Sequence, residues 1–215
     1  MRSRWLGTAV AAAMWAFVAA VYTRLPHRIP SHWNLRGEVD GWMEKPWGAL
    51  MHPAIATAML ATLWLLPRID PRRANLERFA EDRRLLVNLI ILFFAVVQGA
   101  TYGQALGWPV QVDRVILAAV GLLFVGLGNY LPRIRSNWFM GIRTPWTMDN
   151  ERVWRATHRV GGRAFVIAGL VMAASALLPA DVRPWTTGAA IAAAVAVPLV
   201  YSYVAWKRDM SGRPV

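Results

Sequence analysis

Three histidines, His27, His32 and His52, fall near Glu38, Asp40 and Glu44. Imidazole and carboxylate suit zinc, so this stretch has the donor types of a metal site. The spacing matches no helix-borne ligand pair, and hydrogen-bonded loop histidines explain it better; no metal is assigned. His158 could pair with Asp149 or Glu151, but no nucleophile or third group accompanies it. No serine sits in a G-x-S-x-G elbow, and there is no cysteine for a thiolate nucleophile or metal ligand. The expectation is a protein without catalytic residues, cofactor or metal.

Recognition chemistry is better represented. From Arg133 to Arg163 the chain carries seven arginines against two acids, Asp149 and Glu151. Asn137, Gly141, Arg143, Thr144, Pro145, Trp146 and Thr147 make a dense polar and aromatic turn. Gly141 permits a tight backbone, and Pro145 biases Thr144 towards an extended conformation. Thr147 or Asp149 is expected to cap the helix that follows. On that helix Val153, Trp154, Thr157 and His158 share one side, and Arg152, Arg155 and Arg159 form a cationic stripe on another. The candidate functional loop comprises that turn together with Trp154, Thr157, His158, Arg159 and Gly162. It is either a recognition surface centred on Arg143 or a clamp in which Arg143 and Trp146 staple spans four and five.

These residues sit between long apolar runs. Of 215 residues 56% are hydrophobic, concentrated in six runs near 5–23, 48–66, 85–106, 115–131, 160–178 and 186–206. Each approaches the ~20 residues that cross a bilayer as a helix. A soluble fold would lack the polar surface to cover them. The fold class expected is all-α, a polytopic membrane bundle of six spans, with the first run an uncleaved span rather than a signal peptide. The net charge of +12 would suggest nucleic acid in a soluble protein, but its placement argues otherwise. Alternate segments counted from the N-terminus hold 18 of the 24 Lys and Arg, the intervening ones 6. The positive-inside rule therefore puts both termini and the basic loops in the cytoplasm, next to anionic lipid, with no direct nucleic-acid partner. Two domains are expected. Residues 1–84 hold two spans, an outer loop 24–47 and a cytoplasmic loop 67–84. Residues 85–215 hold four spans and the cytoplasmic loop 132–162.

In the outer loop Pro26 and Pro30 favour extended chain, Gly37 and Gly41 mark turns, and Trp33, Trp42 and Trp47 suit the headgroup level. Pro30, His32, Trp33, Asn34, Gly37 and Asp40 are its candidate residues, and loss of His32 or Asp40 is expected to impair fold or function. In loop 67–84, Asp70-Pro71 has the form of a helix N-cap, with Leu76, Phe79 and Ala80 a thin apolar side of an interfacial helix. The tetrapeptide Leu-Pro-Arg-Ile recurs at 66–69 and 131–134, where proline is expected to end a span. Asn88, Gln98 and Asn129 are polar groups within spans, and no Asp, Glu, Lys or Arg lies mid-span.

Three stretches resemble the SdpI family of bacterial membrane proteins. L-P-x-x-I-P-x-H-W-N-x-x-G-x-x-D (Leu25 to Asp40) and P-R-I-D-P-R-R-x-N-x-x-x-F (Pro67 to Phe79) resemble its N-terminal domain of otherwise unknown function. G-N-Y-L-P-R-I-R-x-N-x-F-x-G-I-R-T-P-W-T (Gly128 to Thr147), continued by V-W-x-x-T-H-R-x-G-G (Val153 to Gly162), resembles the SdpI domain itself. Met148 stands where Leu is usual and Trp138 where Tyr is common. The resemblance implies six spans with both ends cytoplasmic in a bacterial inner membrane. It also implies immunity to a membrane-active peptide toxin, and signalling by holding a transcriptional repressor at the membrane. A peptide or lipid carrier using Asn88, Gln98 and Asn129, and a structural membrane-stress protein, are the alternatives.

Overall fold

The computed structural model describes residues 3–34 and 38–213. Six long helices coincide with the six apolar runs: α1 (Ser3–Val21), α2 (Trp47–Ile69), α4 (Ala80–Ala105), α5 (Val112–Tyr130), α7 (Glu151–Ser175) and α8 (Arg183–Met210). Two short helices, α3 (Arg73–Arg78) and α6 (Pro145–Asp149), lie in the two basic loops. α2, α4, α8 and α5 continued to Arg133 are long and apolar enough to cross a membrane, and α1 has a shorter apolar stretch. α7 opens on Glu151, Arg152, Arg155 and Arg159, and only its later part is apolar. Leu122, Ile167 and Val195 are each more than half exposed, a burden on a water-facing surface but the normal outer face of helices in lipid. The molecule is a helical membrane bundle.

The outer loop departs from expectation by forming a hairpin. β1 (Arg28–Trp33) pairs antiparallel with β2 (Val39–Glu44), with Pro30 opposite Trp42 and a bulge around His32. Ile29 and Trp33 are side chains that favour a strand, and Pro30 is tolerated in so small a sheet.

Four apolar clusters order the bundle. Ala11, Met14, Ala56, Val87 and Ile91 join α1, α2 and α4. Ala168, Met172, Ala190 and Ala194 join α7 to α8. At the hairpin end, Ile29 packs with Val18, Leu25, Ala49 and Tyr102. At the opposite end Leu76 and Phe79 pack with Leu86, Leu131, Ile134 and Trp154, so both basic loops share one core. The α5–α7 crossing depends on glycine. A Cβ on Gly128 would lie 2.6 Å from the Gly162 carbonyl oxygen, and one on Gly169 2.4 Å from that of Gly121.

The two Leu-Pro-Arg-Ile copies differ. α2 runs through Pro67 to Ile69 and closes when Asp70 N–H donates to the Leu66 carbonyl (3.0 Å). Proline removes only its own donor there, and the following turn stays bonded. Pro132 does end its span, in a 3-10 turn over Leu131–Arg133. α8 likewise continues through Pro198, which packs beside Gly161.

Candidate functional site

Asn137 builds the turn after α5. It is fully buried; its Oδ1 accepts from Phe139 and Met140 N–H (2.9 and 2.7 Å), and its Nδ2 donates to the Arg135 and Met140 carbonyls. One side chain thus satisfies four backbone groups that form no helix or sheet.

The turn closes on α7 through His158. Trp154 donates from its indole to the Ile134 carbonyl (2.8 Å), and its ring stacks on that of His158 with centroids 4.1 Å apart. His158 Nε2 accepts from Ile142 N–H (3.0 Å), so Nδ1 carries the proton and donates to the Trp154 carbonyl (2.8 Å). Burial pushes the imidazole down to about 4, the Trp154 bond opposing, so His158 is neutral at pH 7. It is structural: both nitrogens are committed to backbone. Gly141 sits against it at φ +102°, where a Cβ would meet Nε2 at 2.4 Å. Thr157 is also fully buried, and its hydroxyl has no hydrogen-bond partner among the described residues.

The next segment is a reciprocal cap. Thr144 is extended (φ −115°, ψ 162°), as the following proline requires. Its hydroxyl accepts from Thr147 N–H (3.2 Å), while Thr147 Oγ1 accepts from Thr144 N–H (2.8 Å). This caps the short α6, with Pro145 at its first position. The expected cap of α7 by Thr147 or Asp149 is corrected: Asn150, extended between the two helices, accepts from Arg152 and Val153 N–H. Trp146 meets Tyr203 of α8 edge to face (5.1 Å), so its staple holds the last span rather than joining spans four and five.

The part that sequence reasoning missed is the clamp from loop 67–84. Asp70, nearly fully buried, accepts from Arg72 N–H (2.7 Å) and from Trp138 N–H (3.0 Å). Arg72 donates to the Ser136 hydroxyl and the Met148 carbonyl, and Asn75 donates to the Ser136 carbonyl. Asp70 is therefore not the helix cap expected of it; α3 begins at Arg73, and the carboxylate is shared between Arg72 of its own loop and Trp138 of the other. The one available signal was an Asp-Pro-Arg-Arg-x-Asn run too polar for an amphipathic helix. Asp70→Ala takes a charged acceptor from two part-buried N–H groups, so a loss of about 1–3 kcal/mol is expected. Thermal melting in detergent checks this; an unchanged Tm would dissolve the clamp.

Cationic groups crown the assembly. Arg143 is exposed and folds back to donate to the Trp138 carbonyl. Arg152, Arg155 and Arg159 lie on the exposed side of α7 as expected. Arg152 pairs with Asp209 at the end of α8 (3.1 Å), which also accepts from Asn150; Arg155 and Arg159 form no ion pair among the described residues. Gly162 belongs to the α5–α7 crossing rather than to this surface.

At the hairpin end, His32 and Asp40 meet at 2.5 Å, but their side chains are 72% and 44% exposed. An exposed pair contributes little. The expected sensitivity of the hairpin moves to buried Ile29 and Pro30 and to Trp33, whose indole donates to Gln104 of α4 (3.2 Å). Asn34 bridges to Glu38 at the hairpin tip; Gly37 lies outside the described residues. No three of the described His, Asp and Glu gather to hold a metal. Within the spans, Gln98 donates to the Met14 carbonyl and Tyr102 to that of Ala49, joining α4 to α1 and α2. Asn88 is buried beside Gly7 of α1, whereas Asn129 is exposed on α5, so Asn88, Gln98 and Asn129 line no common path.

Two family models match the chain. Residues 133–202, which take in most of this loop with α7 and much of α8, match the SdpI/YfhL protein family. Residues 9–57, covering α1, the hairpin and the start of α2, match a domain of unknown function (DUF1648). The chain is similar to "Immunity protein SdpI" of Bacillus subtilis (strain 168), 27% identical over 153 residues, 71% of each chain. No solved structure matches. The two domain models in this order, the relative spanning most of both chains, and the motifs that build the loop all agree: the chain is a multi-pass membrane protein that resembles the SdpI family, matching its model over residues 133–202.

Proposed function

We propose that the protein is an immunity and signalling protein of a bacterial inner membrane. It protects the cell from a membrane-active peptide and presents its basic loop assembly to a cytoplasmic repressor. The observation that carries this reading is the joined body of loops 67–84 and 132–162. Its interior is consumed by structural bonds, and it offers arginines outward rather than a catalytic centre. The similarity to an immunity protein supports the same reading. Binding, not catalysis, is the activity proposed. Deleting the gene and challenging cells with the peptides their own species secretes tests it. Sensitisation restored by the gene in trans is expected; no change with any secreted fraction would defeat it.

Six spans with both termini cytoplasmic follow from the placement of positive charge. Reporter fusions after Lys45 and after Arg152 are expected to report opposite sides, and same-side signals would reject the topology.

The arginines have separable roles. Among the described residues Arg143 bonds only to a backbone carbonyl at the surface, so Arg143→Ala is expected to keep membrane level, and to keep stability within about 1 kcal/mol of the parent. Together with Arg155→Gln and Arg159→Gln it is expected to lower partner recruitment at least tenfold through lost electrostatic attraction. Level, Tm, recruitment and protection should be scored separately. Loss of level and Tm together would make these arginines staples; no change in any of the four would remove the docking surface.

A further inference from the structure

The inner end of α8 carries a cavity of about 310 Å3, far from the larger one of about 520 Å3 at the hairpin end, which is walled mainly by apolar side chains. Tyr203, Val204, Lys207, Arg208, Ser211 and Arg213 line the smaller cavity. The first five recur at i, i+1, i+4, i+5 and i+8, which is one face of a helix. Ser202 and Ala205 are buried against the bundle, whereas the lining residues are exposed, so this face turns away from it.

Arg213 joins the others through the turn that ends the helix. Gly212 has φ +70°, the left-handed conformation that suits glycine, and Arg213 N–H donates back to the Arg208 carbonyl (3.0 Å). Ser211 and Gly212 N–H bond the Arg208 and Asp209 carbonyls (3.0 and 3.1 Å). These bonds weaken the repulsion that an anion meets at a helix C-terminus.

Three of the six lining residues are cations, and among the described residues none of the three is ion-paired. Asp209, the acid of this turn, is drawn instead to the start of α7, where it accepts from Asn150 and pairs with Arg152 (3.1 Å). The depth of the cavity is marked by aromatic rings. Tyr203 meets Trp146 at 5.1 Å and Trp206 at 6.1 Å between centroids, and such rings sit at headgroup level. Tyr203 and Val204 are exposed, so the cavity has an apolar rim on the acyl side and cations on the water side. An amphiphile with a negative head complements both halves. A free phosphate or an acidic peptide would leave the apolar rim bare.

We infer that the inner end of α8 binds one anionic phospholipid. Lys207, Arg208 and Arg213 hold its phosphate, and Tyr203 and Val204 receive the start of its acyl chains. The site is separate from the arginines offered to a cytoplasmic partner and does not rest on the immunity reading.

The test uses full-length protein in phosphatidylcholine nanodiscs. The probe is a minor fraction of phosphatidylglycerol with a photoactivatable headgroup. Labelling is expected to map to 203–213, to saturate, and to be competed by unlabelled phosphatidylglycerol but not by phosphatidylethanolamine or inorganic phosphate. Lys207→Gln with Arg208→Gln is expected to weaken labelling about 25-fold, roughly fivefold per cation lost, at unchanged Tm. Arg73→Gln with Arg78→Gln removes as much charge from the exposed side of α3 and is expected to stay within about twofold of the parent. At Gly212 a Cβ meets nothing within 4 Å, so Gly212→Val acts through the backbone alone; it is expected to displace Arg213 and weaken labelling about fivefold. Labelling spread evenly over the basic loops, equal loss in the two charge-matched variants, undiminished labelling of Lys207→Gln with Arg208→Gln, or displacement by inorganic phosphate would each overturn the lipid site.

Discussion

Gly141→Ala is expected to lower the Tm in detergent by roughly 10 °C and to deplete the protein from membranes. The backbone at Gly141 has φ +102°, where an L side chain is strained by about 1–3 kcal/mol. The new Cβ would also meet His158 Nε2 at 2.4 Å, and the ring cannot retreat without losing its bond from Ile142 N–H or its stack on Trp154. An orphaned buried N–H adds about 1–3 kcal/mol. Together these consume a large share of a typical folding free energy, and at about 2–4 °C per kcal/mol for a chain of this size they give the stated shift. Gly188→Ala is the control: a Cβ there meets nothing within 4 Å, inside a helix where glycine is unfavourable. It is expected to be neutral or stabilising. Equal behaviour of the two variants would refute the account of the Gly141–His158 contact.

Gly128→Leu is expected to prevent α5 and α7 from seating, with Gly128→Ala an intermediate case. At Gly128 a Cβ would lie 2.6 Å from the Gly162 carbonyl oxygen and 2.8 Å from Val166 N, both backbone atoms that move only if α7 moves. Overpacking of this kind costs about 1–3 kcal/mol for one methyl when the surroundings can relax, and more when they cannot. Small residues at such crossings let backbones approach where lipid provides no hydrophobic driving force. Gly162→Ala should mirror the effect, since its Cβ would lie 2.6 Å from the Gly128 carbonyl oxygen. The chain has no cysteine, so a pair introduced across the crossing gives a clean crosslinking readout in membranes. Full crosslinking in Gly128→Leu would show that the helices do not need this contact.

The two variants separate levels of the same loop. Gly128 and Gly162 set how closely α5 and α7 approach, and Gly141 sets whether the turn between them can close on α7. Neither touches the outward arginines, so both should lower recruitment and protection in proportion to protein level. The arginine variants should lower them at constant level. Measuring level alongside each function therefore distinguishes a scaffold defect from a surface defect.

Several features were determined by the sequence alone. Length and hydropathy place the six long helices, because an uncharged run near 20 residues has one stable form in lipid. The extended Thr144 before Pro145 and the buried side of α7 at Val153, Trp154, Thr157 and His158 follow from local sterics and the helical period. The tertiary structure decided what those elements hold. Asp70 reads locally as a helix cap, but while one carboxylate oxygen stays on Arg72 N–H the other accepts from Trp138 N–H, 68 residues later. Thr147 and Asp149 are plausible caps for α7 until the break at Asn150 moves the boundary. His158 is a chemical candidate by type and an inert brace by position, because Ile142 N–H occupies the nitrogen that a base would need. The cavity at the hairpin end was beyond reach for the same reason: it is made by groups distant in sequence, whose meeting depends on how the helices pack rather than on what their neighbours are.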